Sequence, residues 1–135
     1  MASEQFECFV RKGHEIDLVY VPEELEGVET IENVDQAFYF LMEESAWGCG
    51  HDGGTGTIAE KDIWFPIGEI METEENLEKA MTSWGFLSYR SLPHPVELDW
   101  DHDQVVDKYG PAGYYEVKNT TGEIFGWLFY GNADA

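Results

Sequence analysis

The chain has 135 residues, of which 43% are hydrophobic and 15% aromatic, and this composition predicts one folded domain over residues 1–135 rather than a disordered acidic tail. Its 28 aspartates and glutamates against 7 lysines and arginines give a net charge of −21. A surface this acidic repels nucleic acid and anionic membranes, so we expect neither as a direct partner.

The sequence shows neither the apolar run of a membrane span nor the basic start of a signal peptide. No apolar run reaches the roughly 18 residues that span a bilayer, and residues 1–5 lack the basic start of a signal peptide. Two cysteines, Cys8 and Cys49, are too few for a disulfide framework. These features predict a cytoplasmic protein.

The N-terminal part of the chain predicts a β-hairpin. Residues 6–10 alternate, with Phe6, Cys8 and Val10 on one face, and residues 16–21 are rich in β-branched and aromatic side chains. A turn between these two strands would pair them.

A helix is predicted over residues 34–47, where apolar side chains recur at helical spacing. Asn33 stands at the expected N-cap, and Gln36 completes a capping-box pattern. Gly48 provides the stop.

The middle of the chain predicts a strand, a second helix and another strand. Residues 63–70 form the first strand, and Pro66 places it at a sheet edge or a bulge. Thr73 caps a helix whose buried stripe runs as far as Trp84. Residues 86–90 form the next strand.

The C-terminal part predicts a short helix over residues 104–109 and a hairpin between strands 114–118 and 123–130. The return strand is apolar on both faces, which is typical of a central strand. Simple alternation groups Phe125, Trp127 and Phe129 on one face and Ile124, Leu128 and Tyr130 on the other.

The order of these elements predicts an α+β fold. We expect a mostly antiparallel sheet of about five to six strands with the two main helices packed on one face. The antiparallel direction is predicted from the hairpins at both ends of the chain, because strands joined by tight turns are antiparallel.

The acidic residues are concentrated in one span, since residues 13–60 hold twelve acids and no lysine or arginine. Halophilic adaptation or solubility alone would also produce an acidic surface. Glutamate outnumbers aspartate 19 to 9 and aromatic residues are plentiful, which counts against a halophile, and self-repulsion at this charge costs folding stability. We therefore favour an acidic surface selected for a basic protein partner.

A second acidic concentration surrounds Trp100, which is predicted either to anchor an interface or to cover an edge of the core. We expect the residues of both concentrations at the partner-binding surface. They are Glu23, Glu24, Glu26, Glu29, Glu32, Asp35, Glu43, Glu44, Asp99, Trp100, Asp101 and Asp103.

A glycine-rich loop over residues 48–57 offers an alternative, a small-ligand or nucleotide site or a small enzyme. Catalysis by Cys49 and His51 is disfavoured, because acidic surroundings raise a thiol pKa and such pairs rarely lie so close in sequence. A phosphate loop is also disfavoured, because the spacing is wrong and the loop leads into an apparent strand. The residues of this alternative site are Cys49, His51, Gly53, Gly54, Thr55 and Lys61.

Metal binding finds no suitable pattern. The aspartates at 99, 101, 103 and 107 occupy calcium-loop positions. However, Gln104 stands at the position where the loop requires glycine, and Gly110 stands where the closing glutamate is required. We expect no metal, no cofactor and no catalytic residue.

Two short segments carry a resemblance. The run GGTGTIAEK over residues 53–61 and the run KYGPAG over residues 108–113, with the apolar last strand, resemble small uncharacterised proteins of tailed bacteriophages. The resemblance implies no activity and no functional residues. It does imply a phage setting, in which small acidic proteins often block host enzymes, including defence enzymes, and some imitate DNA.

The hypothesis from sequence is therefore a non-enzymatic, phage-encoded inhibitor acting in the host cytoplasm. It would bind the basic nucleic-acid-binding surface of a host protein, because carboxylates spaced like DNA phosphates can replace them in a basic cleft. A homodimer is compatible with the sequence.

Overall fold

The computed structural model describes residues 3–16, 21–49, 57–83, 86–93, 95 and 97–134, with the backbone alone at residues 3 and 46–49. In these residues four strands form one mixed sheet in the order β1–β4–β3–β2. The strands are β1 (Ser3–Arg11), β2 (Trp64–Met71), β3 (Ala112–Lys118) and β4 (Ile124–Asp134).

The C-terminal hairpin is confirmed as β3 and β4. The Asn119 side-chain oxygen accepts hydrogen bonds from the backbone N–H groups of Thr121 and Glu123, at 3.1 and 3.0 Å. Gly122 has a φ of 87°, which a residue with a side chain adopts only at a cost. This turn sets β4 beside β3, and β4 is a central strand as expected.

The sheet departs from the prediction in strand number and direction. Among the described residues it has four strands, and β2 runs parallel to β3. A parallel neighbour requires a crossover, which α2 and the long segment before β3 supply. β2 is an edge strand with a register shift between Pro66 and Gly68, which confirms the edge or bulge expected from the proline.

The predicted second strand, 16–21, falls mainly on residues 17–20, which lie outside the described residues. Next to it, Glu15 forms an isolated antiparallel bridge with Thr30. In the described sheet the strand that pairs with β1 is β4, so the partner of β1 comes from the far end of the sequence.

The predicted strand over residues 86–90 is wrong. Leu87 makes a single bridge with Met81, and a 3-10 turn begins at Tyr89. The backbone N–H of Ser88 bonds to the carbonyl of Ala80, so the segment folds back on the end of a helix instead of joining the sheet.

The predicted helix over residues 104–109 is also wrong, since these residues form turns. The N–H groups of Val105 and Val106 both bond to the carbonyl of His102. The Gly110 N–H bonds to the Asp107 carbonyl three residues back, and the Lys108 carbonyl accepts from a lysine side chain.

The two helices are α1 (Val34–Cys49) and α2 (Glu74–Ala80). Both predicted caps are confirmed, because Asn33 Oδ1 accepts from the Gln36 N–H at 2.9 Å and Thr73 Oγ1 accepts from the Asn76 N–H at 3.2 Å. The second helix is shorter than predicted, and Trp84 lies outside the described residues. No helix in the described parts of the chain is long and apolar enough to cross a membrane.

The helices pack on opposite faces of the sheet, and not on one face as predicted. Neighbouring residues on β4 point to opposite sides, and Phe129 contacts Phe38 of α1 with ring centroids 5.7 Å apart. Leu128 packs in the other cluster with Leu77 of α2. Each face of the sheet is therefore a buried core layer, which explains why β4 is apolar on both sides.

A bulge in β4 changes the predicted face assignment. Val117 pairs with Gly126 and Lys118 pairs with Ile124, so Phe125 is the extra residue. Phe125 therefore joins Leu128 in the cluster of the α2 face. Ile124 packs on the α1 face, the reverse of what simple alternation predicts.

Candidate functional site

Most of the positive charges of the chain are paired with carboxylates of the sheet and of α2. Five lysines and arginines form ion pairs with carboxylates there. The pairs are Arg11–Glu78, Lys79–Glu75, Arg90–Glu7, Lys108–Asp134 and Lys118–Glu69. Each of these five acids lies outside residues 13–60, so these contacts leave the charge of the acidic span in place.

Residues 21–49 of the acidic span fold as one layer over the α1 face of the sheet. Residues 21–33 and α1 bury their apolar side chains in the same cluster, with Leu25, Ile31 and Phe38 fully inaccessible to solvent. The carboxylates between these anchors point outwards because the apolar side chains point inwards. The exposed acids, which we call the acidic layer, are Glu23, Glu24, Glu26, Glu29, Glu32, Asp35 and Glu44.

Local hydrogen bonds hold the acidic layer against α1. The backbone N–H of Glu32 donates to the Gln36 side chain at 2.8 Å, and the Thr30 hydroxyl donates to the Glu32 carboxylate at 2.6 Å. Glu43, also predicted at the binding surface, is half-buried on α1. Like charges held this close repel one another, and a cationic surface relieves that repulsion.

The second acidic set lies on the opposite side of the sheet. Leu98 and Val105, which flank it, pack in the cluster of the α2 face. Asp99, Asp101 and Asp103 are exposed there. The structure thus separates the two sets that the sequence analysis combined into one surface.

Trp100 is half-buried at this second site. Its ring meets that of Tyr130 edge-on, with centroids 5.1 Å apart, and the Tyr130 hydroxyl donates to the Asp99 carbonyl at 2.8 Å. This packing matches the core-covering alternative for Trp100, and its role in binding stays a prediction.

Lys61 has a structural position that the sequence did not indicate. It is 2% exposed, and its Nζ donates to the carbonyls of Lys108 and Gly110 at 3.0 and 2.9 Å, with the Asp107 carbonyl at 3.5 Å. Burial lowers the pKa of Lys61, against the raising effect of the Asp107, Asp62 and Glu60 carboxylates. Its ammonium group is therefore engaged in holding the 107–110 turn.

The side chains of the other residues of the glycine-rich site lie outside the described part of the chain. Cys49 is the last residue of α1, where only the backbone is described, and His51, Gly53, Gly54 and Thr55 lie outside the described residues. Within the described residues there is no group of three or more histidine, cysteine, aspartate or glutamate side chains that could hold a metal.

A groove of about 480 Å³ runs along the edge strand β1, and sequence reasoning missed it. Phe40, Leu41 and Glu44 of α1 line one side, and Phe86 and Leu87 line the other. The groove forms where two distant segments flank β1, so no local pattern could have revealed it.

Two titratable groups of β1 also line the groove. Burial raises the pKa of the Cys8 thiol to about 11, and the Glu7 carboxylate adds to this rise. Burial likewise raises the pKa of the Glu7 carboxyl, against the lowering effect of the Arg90 guanidinium. The floor of the groove is therefore a low-dielectric surface in which the thiol stays protonated at neutral pH.

In comparisons with known proteins, the chain matches no family model, no curated protein and no solved structure.

Proposed function

We propose that this chain is a non-enzymatic interaction protein whose acidic layer binds a basic protein surface. The observation that carries the proposal is the separation of charge. All seven lysines and arginines lie outside residues 13–60, and five of them pair with acids of the sheet and α2, while the seven carboxylates of the acidic layer stand exposed over α1. A protein that needed acidity only for solubility could distribute it evenly.

The partner that fits this surface is a protein that itself binds nucleic acid. B-DNA presents one negative charge per about 1.7 Å of axis, and a cleft built for it accepts carboxylates held at similar density. The resemblance to small phage proteins provides a setting, a phage-encoded inhibitor of a host protein that acts in the host cytoplasm. The charge would speed association and make binding sensitive to salt.

The alternative is a ligand site or enzyme built on the glycine-rich loop, and the basic residue among its named residues, Lys61, is not available to a ligand. Lys61 is engaged by three backbone carbonyls, so it cannot serve an anionic ligand without breaking the 107–110 turn. No described residue adds a feature that favours this alternative.

A pair of charge-matched variants tests the proposal. In the first, Glu23, Glu26 and Glu29 of the acidic layer are changed to lysine. In the control, Glu97, Asp101 and Asp103 on the opposite face are changed to lysine, so the net charge changes equally. All six residues are exposed.

Each protein is used to capture partners from bacterial lysate at about 50 and about 500 mM salt. At the lower salt concentration we expect the wild type and the control to retain nucleic-acid-binding proteins, and we expect double-stranded DNA to displace them. At the higher salt concentration we expect weaker retention. We expect the layer variant to bind the purified partner at least tenfold more weakly, mainly through slower association. Equal weakening in both variants would show that total charge, and not the acidic layer, is responsible, and wild-type binding by the layer variant would contradict the proposal.

A further inference from the structure

We propose that the groove along β1 binds an extended, basic peptide segment, which adds to the sheet as a fifth strand beside β1. This site is distinct from the acidic layer, and nothing in the proposed function requires it. The argument combines the position of β1 in the sheet, the two walls of the groove and the charge of its rim.

β1 provides the backbone groups that such a segment needs. It is the outermost strand next to β4, and no strand lies beyond it in the part of the chain that the structure describes. In an antiparallel pair, alternate residues direct their N–H and C=O groups to the partner strand, and the others direct theirs away. Residues 7–10 of β1 line the groove, so the backbone groups that they direct away from β4 are placed to pair with an added strand.

The walls provide places for side chains on both faces of an added strand. Cys8 and Val10 face the α1 side, where Phe40 lies against His14 with ring centroids 4.9 Å apart. Phe9 faces the other side, where Phe86 is 56% exposed. A strand lying on the edge of β1 would alternate its side chains between these two apolar walls.

The charge of the groove selects the chemistry of the segment. Two carboxylates line the groove, that of Glu44 on the α1 wall and that of Glu7 on the β1 floor. The Arg90 Nη2 atom lies 3.8 Å from the Glu7 Oε2 atom and neutralises the Glu7 carboxylate in part. A segment with valine or phenylalanine interspersed with lysine or arginine complements both the apolar walls and the carboxylates.

A second copy of the chain is the other obvious occupant of a free sheet edge. Two β1 strands could pair edge to edge, but each copy carries a net charge of −21. Repulsion between two such proteins opposes that pairing, whereas a basic segment is attracted from a distance. The charge therefore favours the basic segment over the dimer.

The test uses a fluorescent peptide of about nine residues, the length of β1, in which pairs of lysines alternate with pairs of valine and phenylalanine, so that both faces of the strand carry apolar and basic side chains. A matched peptide carries glutamate in place of lysine. Two further peptides carry backbone N-methyl groups at every second residue, one at the odd positions and one at the even positions. These methyl groups remove N–H donors from one edge of the strand at a time.

We expect the lysine peptide to bind at least tenfold more tightly than the glutamate peptide. One N-methyl pattern should weaken binding at least tenfold and the other less than threefold, because only one edge of the peptide faces β1. F86A should weaken binding at least fivefold. The control F65A removes an aromatic side chain from the opposite sheet edge, where it is 38% exposed, and should change nothing.

Three results would overturn the proposal. Equal effects of the two N-methyl patterns would exclude strand addition, and this arm needs no protein variant. An unchanged affinity for F86A would exclude the groove. Sedimentation that shows a dimer dissociated by F86A would assign the edge to a second copy. The peptide experiments also separate this proposal from the proposed function. The difference between the two N-methyl patterns should persist in the variant with lysine at positions 23, 26 and 29, even if that variant binds the basic partner like the wild type.

Discussion

The Nζ atom of Lys61 lies 2.9 Å from the carbonyl oxygen of Gly110, and this hydrogen bond joins segments 49 residues apart in sequence. The same ammonium group also reaches the Lys108 carbonyl at 3.0 Å. A buried lysine that satisfies several carbonyls at once replaces the backbone hydrogen bonds that a helix would have made. The turn before β3 therefore depends on a residue that precedes β2.

Removing this ammonium group should destabilise the protein. We expect Lys61→Met to lower the free energy of unfolding by about 2–3 kcal/mol, because the partly buried carbonyls of Lys108 and Gly110 lose their donor. Lys79→Met is the matched control, since Lys79 makes an exposed pair with Glu75 one helical turn away. The control should cost less than about 0.5 kcal/mol. Urea denaturation of both variants measures the difference, and equal midpoints would contradict the structural role of Lys61.

The close approach of β1 to β4 at Gly126 predicts a second large effect. A Cβ atom there would overlap the Val10 carbonyl oxygen and the Phe9 ring, and neither can move without disturbing the sheet. We expect Gly126→Ala to cost about 2–4 kcal/mol. At Gly68, on the opposite edge strand, the nearest atom to an added Cβ is 3.4 Å away. Gly68→Ala should change stability by less than about 0.5 kcal/mol. Thermal unfolding of both variants measures the difference, and equal losses of stability would contradict the close approach at Gly126.

The environment of Cys8 predicts that its thiol is alkylated slowly and at a rate that depends on pH. Its pKa rises from 9.0 to about 11, so at about pH 8 its thiolate fraction is about 100-fold below that of an ordinary cysteine. In a Cys49→Ser protein, alkylation of Cys8 by iodoacetamide should be slower by about that factor than in the urea-unfolded chain. Equal rates in the two states would show that the thiol is not buried.

The same shift has a consequence for stability. Because the pKa of Cys8 is higher in the folded state than in the unfolded state, the folded protein retains the proton over a wider range of pH. The stabilising contribution is therefore complete below pH 9.0 and is lost as the pH rises towards about 11. Cys8→Ala should remove that part of the decline in urea midpoint over this window. An identical decline in the variant would assign it to other groups.

Self-repulsion within the acidic layer predicts the effect of charge reversal on stability. Replacing Glu23, Glu26 and Glu29 by lysine should leave the Tm unchanged or raise it by about 1–4 °C at low salt. High salt should shrink the difference, because the charges are exposed and screened. Differential scanning calorimetry at two salt concentrations measures this, and a large fall in Tm would mean that these carboxylates make specific folded-state contacts.

Local patterns in the sequence determined the features that depend on near neighbours. The cap at Asn33, the cap at Thr73 and the turn at Asn119 each depend on hydrogen bonds within about four residues, and the structure confirms all three. The α+β class followed from the same local signals. The sequence also placed the acids between Glu23 and Asp35 at the surface, and the structure leaves them exposed while Leu25 and Ile31 are buried.

Only the tertiary structure decided which distant segments meet. The pairing of β1 with β4, the parallel contact of β2 with β3 and the placement of α1 and α2 on opposite faces depend on contacts between residues far apart in sequence. The bulge at Phe125 reverses a face that simple alternation assigns, because one unpaired residue shifts every side chain beyond it. The burial of Lys61 and the groove beside β1 arise in the same way, since the carbonyls around the lysine and the two walls of the groove come from separate segments that only the folded sheet brings together.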